Sequence, residues 1–188
     1  MRSVIYSMGM SLDGYIVGPD GGFAWTGPDA ELFEFVTDEI RQVGVYVLGR
    51  RLYETMLYWE TADQDPSLDG AMREWARLWK ALPKVVFSTT LTSVQGNARL
   101  ASGSLADEIA RLRAGTEDGA VALGGATLAA EAAELDLIDE YRPRIHPVLV
   151  GGGIPYLPHH ARHVDLQLLE TRTFGSGVVH LRHRVSRP

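Results

Sequence analysis

Short apolar runs alternate with amphipathic stretches through the first 150 residues. Ser3–Met10 reads as a first strand, ended by the turn residues of SLDG. Ile16–Thr26 is rich in glycine and holds Phe23 and Trp25. Pro28 and Asp29 mark a helix start, because an aspartate caps free N–H groups, and the helix should run to about Gln42. Val43–Leu48 is a short β-branched run bounded by Gly49 and predicts a buried strand. Arg50–Tyr58 predicts a helix, and Gly70–Ala81 predicts another. Met72, Trp75, Leu78 and Trp79 recur at helical spacing there, so those tryptophans read as core. Thr61–Asp69, between the two, is the longest polar interruption and predicts a loop.

Val85–Phe87 predicts a strand with Ser88, Thr89 and Thr90 at its carboxyl end. Leu105–Arg113 predicts a helix. Val121–Ala133, within VALGGATLAAEAA, combines a buried strand, a Gly124-Gly125 turn and a helix beginning near Thr127. Ile138–Val150 includes an extended segment, Arg142–His146, and leads into three glycines. Leu166–Phe174 and Gly177–Val185 alternate around GSG, a hairpin pattern. It sets His180, Arg182 and Arg184 on one face and Val179, Leu181 and Val185 on the other. Strands alternating with helices and a closing hairpin define an α/β class: a mainly parallel central sheet, helices on both faces, and an antiparallel C-terminal hairpin. The 188 residues suffice for a single domain, 1–188.

Composition narrows the function. A net charge of −6 argues against broad attraction to nucleic acid or an anionic membrane. The absence of cysteine excludes disulfides, thiolate metal sites and a cysteine nucleophile, and fits a cytoplasmic protein. No apolar run approaches the roughly 20 residues of a membrane span, and the N-terminal run is too short for a signal peptide. His159 and His163 stand four apart, as metal ligands on a helix can, but two prolines precede them and no acidic third ligand is near. A surface segment without metal is expected. No G-x-S-x-G motif supports hydrolysis.

Chemistry concentrates at three strand exits. They are Gly49-Arg50-Arg51, Ser88-Thr89-Thr90 and Gly124-Gly125-Ala126-Thr127. In open α/β sheets ligands bind at the carboxyl ends of strands. Arginines, hydroxyls and a glycine-rich helix start together suit an extended phosphorylated ligand such as a dinucleotide. Each is also explained by local structure: a Gly-Gly turn is a common tight connection, and an arginine at a helix start is often merely solvated.

Six motifs in order carry a resemblance over nearly the whole chain: SLDGYI (Ser11–Ile16), Ala24–Phe35, VLGRRLYE (Val47–Glu54), VVFSTT (Val85–Thr90), LGGATL (Leu123–Leu128) and Asp139–Pro155. The chain resembles the dihydrofolate reductase-like proteins, and more closely the C-terminal reductase domain of bacterial bifunctional riboflavin-biosynthesis deaminase-reductases. The resemblance implies an NADPH-dependent reductase. Gly49, Arg50 and Arg51 would meet the adenosine 2′-phosphate, with Ser88 and Thr89 beside it. Gly124, Gly125, Ala126 and Thr127 would form the pyrophosphate loop. Trp25, Glu31, Leu32 and Phe35 would meet the substrate. Glu31, which first-turn preference also explains, and Asp13, which also reads as a turn residue, are the catalytic candidates. A homodimer is implied as well. The fused deaminase is absent, with no H-x-E and no PC-x-x-C. Leu123 replaces a substrate-contacting glutamate, and Leu52 replaces a threonine of dihydrofolate reductases. The expected acceptor is therefore a small heterocycle or a conjugated carbonyl or imine of its own. The alternatives are an NADP(H)-binding protein without turnover, acting as a sensor or interaction module, and a true dihydrofolate reductase.

Overall fold

The computed structural model describes residues 1–116, 118–158 and 162–187. Six strands run parallel: β1 (Val4–Ser11), β3 (Val43–Gly49), β4 (Lys84–Phe87), β5 (Ala98–Leu100), β6 (Ala120–Gly124) and β7 (Glu140–His146). The hairpin strands β9 (Leu166–Thr173) and β10 (Val179–Val185) complete the sheet antiparallel, in the order β5-β4-β3-β6-β1-β7-β10-β9. A separate small pairing joins β2 (Tyr15–Val17) to β8 (Ile154–Pro155).

Alternation along the strands feeds two cores. Val45, Val47, Val85 and Val121 pack with Leu105 and Ile109 of α4 (Leu105–Ala114) and with the alanine-rich face of α5 (Ala126–Glu134). Their neighbours Leu48 and Val86 point the other way, onto α1 (Ala30–Arg41), α2 (Arg50–Met56) and α3 (Gly70–Ala81). The period of two in a strand thus puts helices on both faces. Three helix starts are capped by side chains: Asp29 accepts from the Leu32 N–H, Asp69 from Met72 and Ser104 from Asp107. Trp75 and Trp79 are core residues whose rings stack at 5.5 Å.

The differences from the sequence pattern are local. The helix from Arg50 ends at Met56 and tightens into a 3-10 turn, Leu57–Glu60. The expected polar loop contains a further 3-10 turn, Ala62–Gln64, anchored by buried Ala62. Strands β2, β5 and β8, of three, three and two residues, are too short to leave a periodic signal. After His146 the chain leaves the sheet and residues 147–150 run on without strand pairing. In the hairpin, His180 and Arg184 lie opposite Arg144 and Glu140 of β7, and His180 and Arg144 pack against Phe35 and Glu39 of α1. The polar face of β10 is therefore partly inside, with His180 1% exposed. Among the described residues no helix is long and apolar enough to cross a membrane.

Candidate active site along the carboxyl edge of the sheet

The three strand exits are neighbours. Gly49 lies opposite Phe87, which precedes Ser88, and Leu48 lies opposite Gly124. Gly125 holds φ at +102°, and a Cβ built on it would sit 3.7 Å from the Gly49 backbone nitrogen. A Cβ on Gly124 would come within 2.5 Å of Leu52 and 2.7 Å of Tyr46. Both glycines are thus dictated by space or conformation. Helix α5 starts at Ala126 with no side-chain cap, which leaves its first N–H groups open to an anion. Thr127 is exposed on that first turn, while Ala126 is buried.

Arg50 is half-exposed and reaches Glu54 at 3.3 Å, one turn on. Arg51 and Thr89 are exposed. The Ser88 Oγ accepts the N–H groups of Thr90 and Leu91 at 3.1 and 2.9 Å. This fixes the turn; the Ser88 O–H, 3.4 Å from the Thr90 hydroxyl, can donate there or to a ligand.

Along the same edge, β1 and β7 come next. Ser11 lies opposite His146. His146 meets Trp25 edge-on at 5.7 Å between ring centres, and a Cβ on Gly9 would lie 3.1 Å from its Nε2. Burial, with Arg144 adding to it, holds the His146 pKa below the usual histidine value. The Trp25 indole nitrogen is buried with no hydrogen-bond partner among the described residues.

Glu31, Leu32 and Phe35 do share one flank of α1, but the hairpin occupies it. Glu31 accepts the Gly175 N–H at 3.0 Å and pairs with Arg172 at 3.1 Å. Those two contacts, Gly175 first, hold its carboxyl below the ordinary range. Leu32 is 2% exposed, packed with Phe174 and Val178, and is closed to a ligand. Phe35 packs on Phe174 and His180. Asp13 is likewise engaged. Ser11 and then the Gly151 and Val150 N–H groups hold its carboxyl low and tie SLDG to the glycine loop after β7. That loop includes Gly153, where a Cβ would meet the Val17 carbonyl at 2.0 Å.

The sequence pattern passed over the polar groups beneath α1. Glu140, Arg142, Arg144 and His146 alternate along β7 and so share one face of the strand, and two of them, Arg142 and Arg144, meet α1. Glu39 of α1 reaches Arg144 at 2.7 Å and Arg142 at 3.6 Å. Ser7 of β1 accepts from Arg144 at 2.6 Å and donates to Glu39 at 3.2 Å. Burial opposes ionisation of Glu140, but Arg182 and Arg142 outweigh it and lower its pKa. The period-two run E-x-R-x-R-x-H was the available signal; what it lacked was a sign that this polar face is covered. Beside it lies a cavity of about 230 Å³, bounded by Ser7, Glu39, Tyr46 and Arg144 on one side and by Val36, Leu52, Met56, Trp75 and Trp79 on others.

Of the histidine pair, His159 lies outside the described residues. His163 is exposed and 3.1 Å from Asp165. Among the described residues no group of three or more potential ligands gathers for a metal.

Residues 2–180 match the RibD C-terminal domain. The uncharacterized protein YyaP of Bacillus subtilis (strain 168) is 29% identical over 180 residues, covering 96% of this chain and 93% of that protein. Among solved structures, a putative riboflavin biosynthesis protein from Shewanella sp. PV-4 superposes with a TM-score of 0.75 at 24% identity, covering all of both chains. Dihydrofolate reductase from Enterococcus faecalis, complexed with NADP(H) and RAB-propyl, superposes with a TM-score of 0.65 at 12% identity, over 98% of this chain and 97% of that one.

Proposed function

The chain belongs to the RibD C-terminal domain family, and from that membership we propose that it is an NADPH-dependent reductase of a small heterocyclic or conjugated carbonyl or imine compound. The observation that carries this reading is the register that sets Gly49, Ser88 and Gly124-Gly125 side by side along one sheet edge. The residues there fit a dinucleotide phosphate. Gly125 leaves room beside Gly49, the start of α5 lacks a side-chain cap, and Arg50 and Arg51 stand at the neighbouring exit. Arg50 and Arg51 would hold the 2′-phosphate, Ser88 and Thr89 would donate beside it, and Gly124–Thr127 would receive the pyrophosphate. NADPH, when bound, would supply the hydride.

Adjacent strands are about 4.8 Å apart. A ligand extended from β4 across β3 and β6 therefore reaches β1 and β7, where Trp25, Gly9 and His146 meet. Specific NADPH oxidation by purified protein, with NADH poorly used and Arg50→Ala erasing the difference, tests the reading. A binding protein without turnover is the second reading. The engagement of both Glu31 and Asp13 in structural hydrogen bonds favours it. It predicts NADPH binding with no acceptor reduced. Pairing of two copies would be served by β9, an outer strand with Leu166 and Leu168 exposed.

A further inference from the structure

The cavity beneath α1 has one charged wall, part of the network that also holds Arg142 on Glu39. Its lining carries one carboxylate, Glu39, and one guanidinium, Arg144, already bound to each other at 2.7 Å. Yet the wall keeps unused donors. Arg144 bonds Ser7 and Glu39 through Nη1 alone; its Nε and Nη2 make no hydrogen bond among the described residues. The Tyr46 hydroxyl makes none either. Burial raises the Tyr46 pKa to about 12, so the phenol stays protonated and able to donate.

The other walls are mostly hydrocarbon; the Trp75 and Trp79 rings there stack on each other at 6°, and their two indole N–H groups are buried with no hydrogen-bond partner among the described residues. A cavity of about 150 Å³ is enough for benzene, so about 230 Å³ takes one ring or two fused rings. A phosphate or carboxylate placed here would set a second buried anion against Glu39, whose charge Arg144 at 2.7 Å and Arg142 at 3.6 Å already share, and would lose its own hydration. A carbonyl oxygen would instead accept from Arg144 and Tyr46 and leave the ion pair intact.

We propose that this cavity is a ligand site for an uncharged, largely apolar cyclic carbonyl compound, its oxygen held by Arg144 and Tyr46, and that it rejects phosphorylated or carboxylated molecules of the same size. The inference rests on the reductase reading only for what the ligand is for; the site itself stands on the cavity and its free donors.

The test needs no cofactor. Two of the four tryptophans line the cavity, so occupancy quenches the intrinsic fluorescence of the full chain. Three probes of similar shape are titrated: chromone (a neutral bicyclic carbonyl), naphthalene and 1-naphthyl phosphate. Chromone should quench saturably and bind roughly five- to tenfold tighter than naphthalene, the worth of a hydrogen bond or so. The phosphate ester should not bind. Tyr46→Phe should bring chromone to the naphthalene level and leave naphthalene unchanged. Arg144→Lys should weaken chromone too; if that variant does not fold, the near-isosteric Tyr46→Phe decides. Binding of the phosphate ester as tightly as chromone, no response to any probe, or chromone affinity unchanged in Tyr46→Phe each overturns the proposal. NADPH is titrated in the same preparation. Probe binding without NADPH binding overturns the cofactor reading alone, and the reverse overturns the cavity site alone.

Discussion

Glu31 and Arg172, 141 positions apart, meet at 3.1 Å and join the first turn of α1 to the end of β9. The second Glu31 oxygen accepts the Gly175 N–H at 3.0 Å, so the carboxylate clasps the hairpin turn. Arg172 also lies over the rings of Phe35 and Phe174. A carboxylate in the first helical turn is favoured by the helix dipole as well.

Glu31→Gln should therefore lower the melting temperature while leaving NADPH affinity unchanged. The folded state holds this carboxyl below its ordinary value. Its contribution is complete above the ordinary carboxylate range and is lost as pH falls through the lower, folded value. Melting curves of wild type and Glu31→Gln should thus diverge near neutrality and converge in acid. A variant with wild-type melting at all pH values and a large loss of NADPH turnover would return Glu31 to a chemical role.

Glu108 makes a comparable anchor on the opposite face. Its side chain is fully buried and accepts a fork from Arg99 at 2.9 and 2.7 Å. Arg99 first, then the Ser102 N–H, lower its pKa to about 2 against the opposing effect of burial. The stabilisation is present above about pH 4.5 and disappears as pH falls toward 2. Glu108→Gln should cost about 1–2 kcal/mol at pH 7, toward the low side because Arg99 is 43% exposed and screened. Urea unfolding at pH 7 and at pH 3 measures it, with the smaller difference at the lower pH.

Gly125→Ala places a Cβ at φ +102°, where L side chains are strained. The expected cost is about 1–3 kcal/mol of stability, with NADPH binding impaired beyond it. Urea unfolding with and without NADPH separates the two effects. Wild-type stability and affinity together would show that this turn tolerates a side chain.

Arg50→Ala removes an exposed ion pair to Glu54, worth only about 0.3–0.5 kcal/mol. Stability should barely change. NADPH affinity should fall roughly 10- to 100-fold, as the loss of a charge-assisted hydrogen bond predicts. NADH affinity should stay the same. Parallel fluorescence titrations of the variant and wild type give both numbers.

The elements with strong periodicity were legible in the sequence, and so was the convergence of their exits. Val43–Leu48, Val85–Phe87 and Val121–Leu123 are short, largely apolar runs, and each is followed by a residue type that favours a turn: Gly49, Ser88 and Gly124. What covers each face was not legible. The spacing of Glu31, Leu32 and Phe35 gave their common flank, but not that Phe174 and Val178, some 140 residues later, fill it. Arg142 and Arg144 read as an extended polar segment because their partner Glu39 comes from a distant helix. Long-range charge pairing leaves no local pattern to read.

The central claim is a dinucleotide phosphate held at three adjacent strand exits. The most direct measurement is a thermal-shift titration with NADPH and NADH in parallel. A ligand at about 100 times its Kd stabilises the native state by roughly 2.7 kcal/mol, which for a chain of this size is roughly 5–10 °C. The account predicts that rise with NADPH, little with NADH, and no distinction between them in Arg50→Ala. Equal shifts with both nucleotides, or none with either, would contradict it.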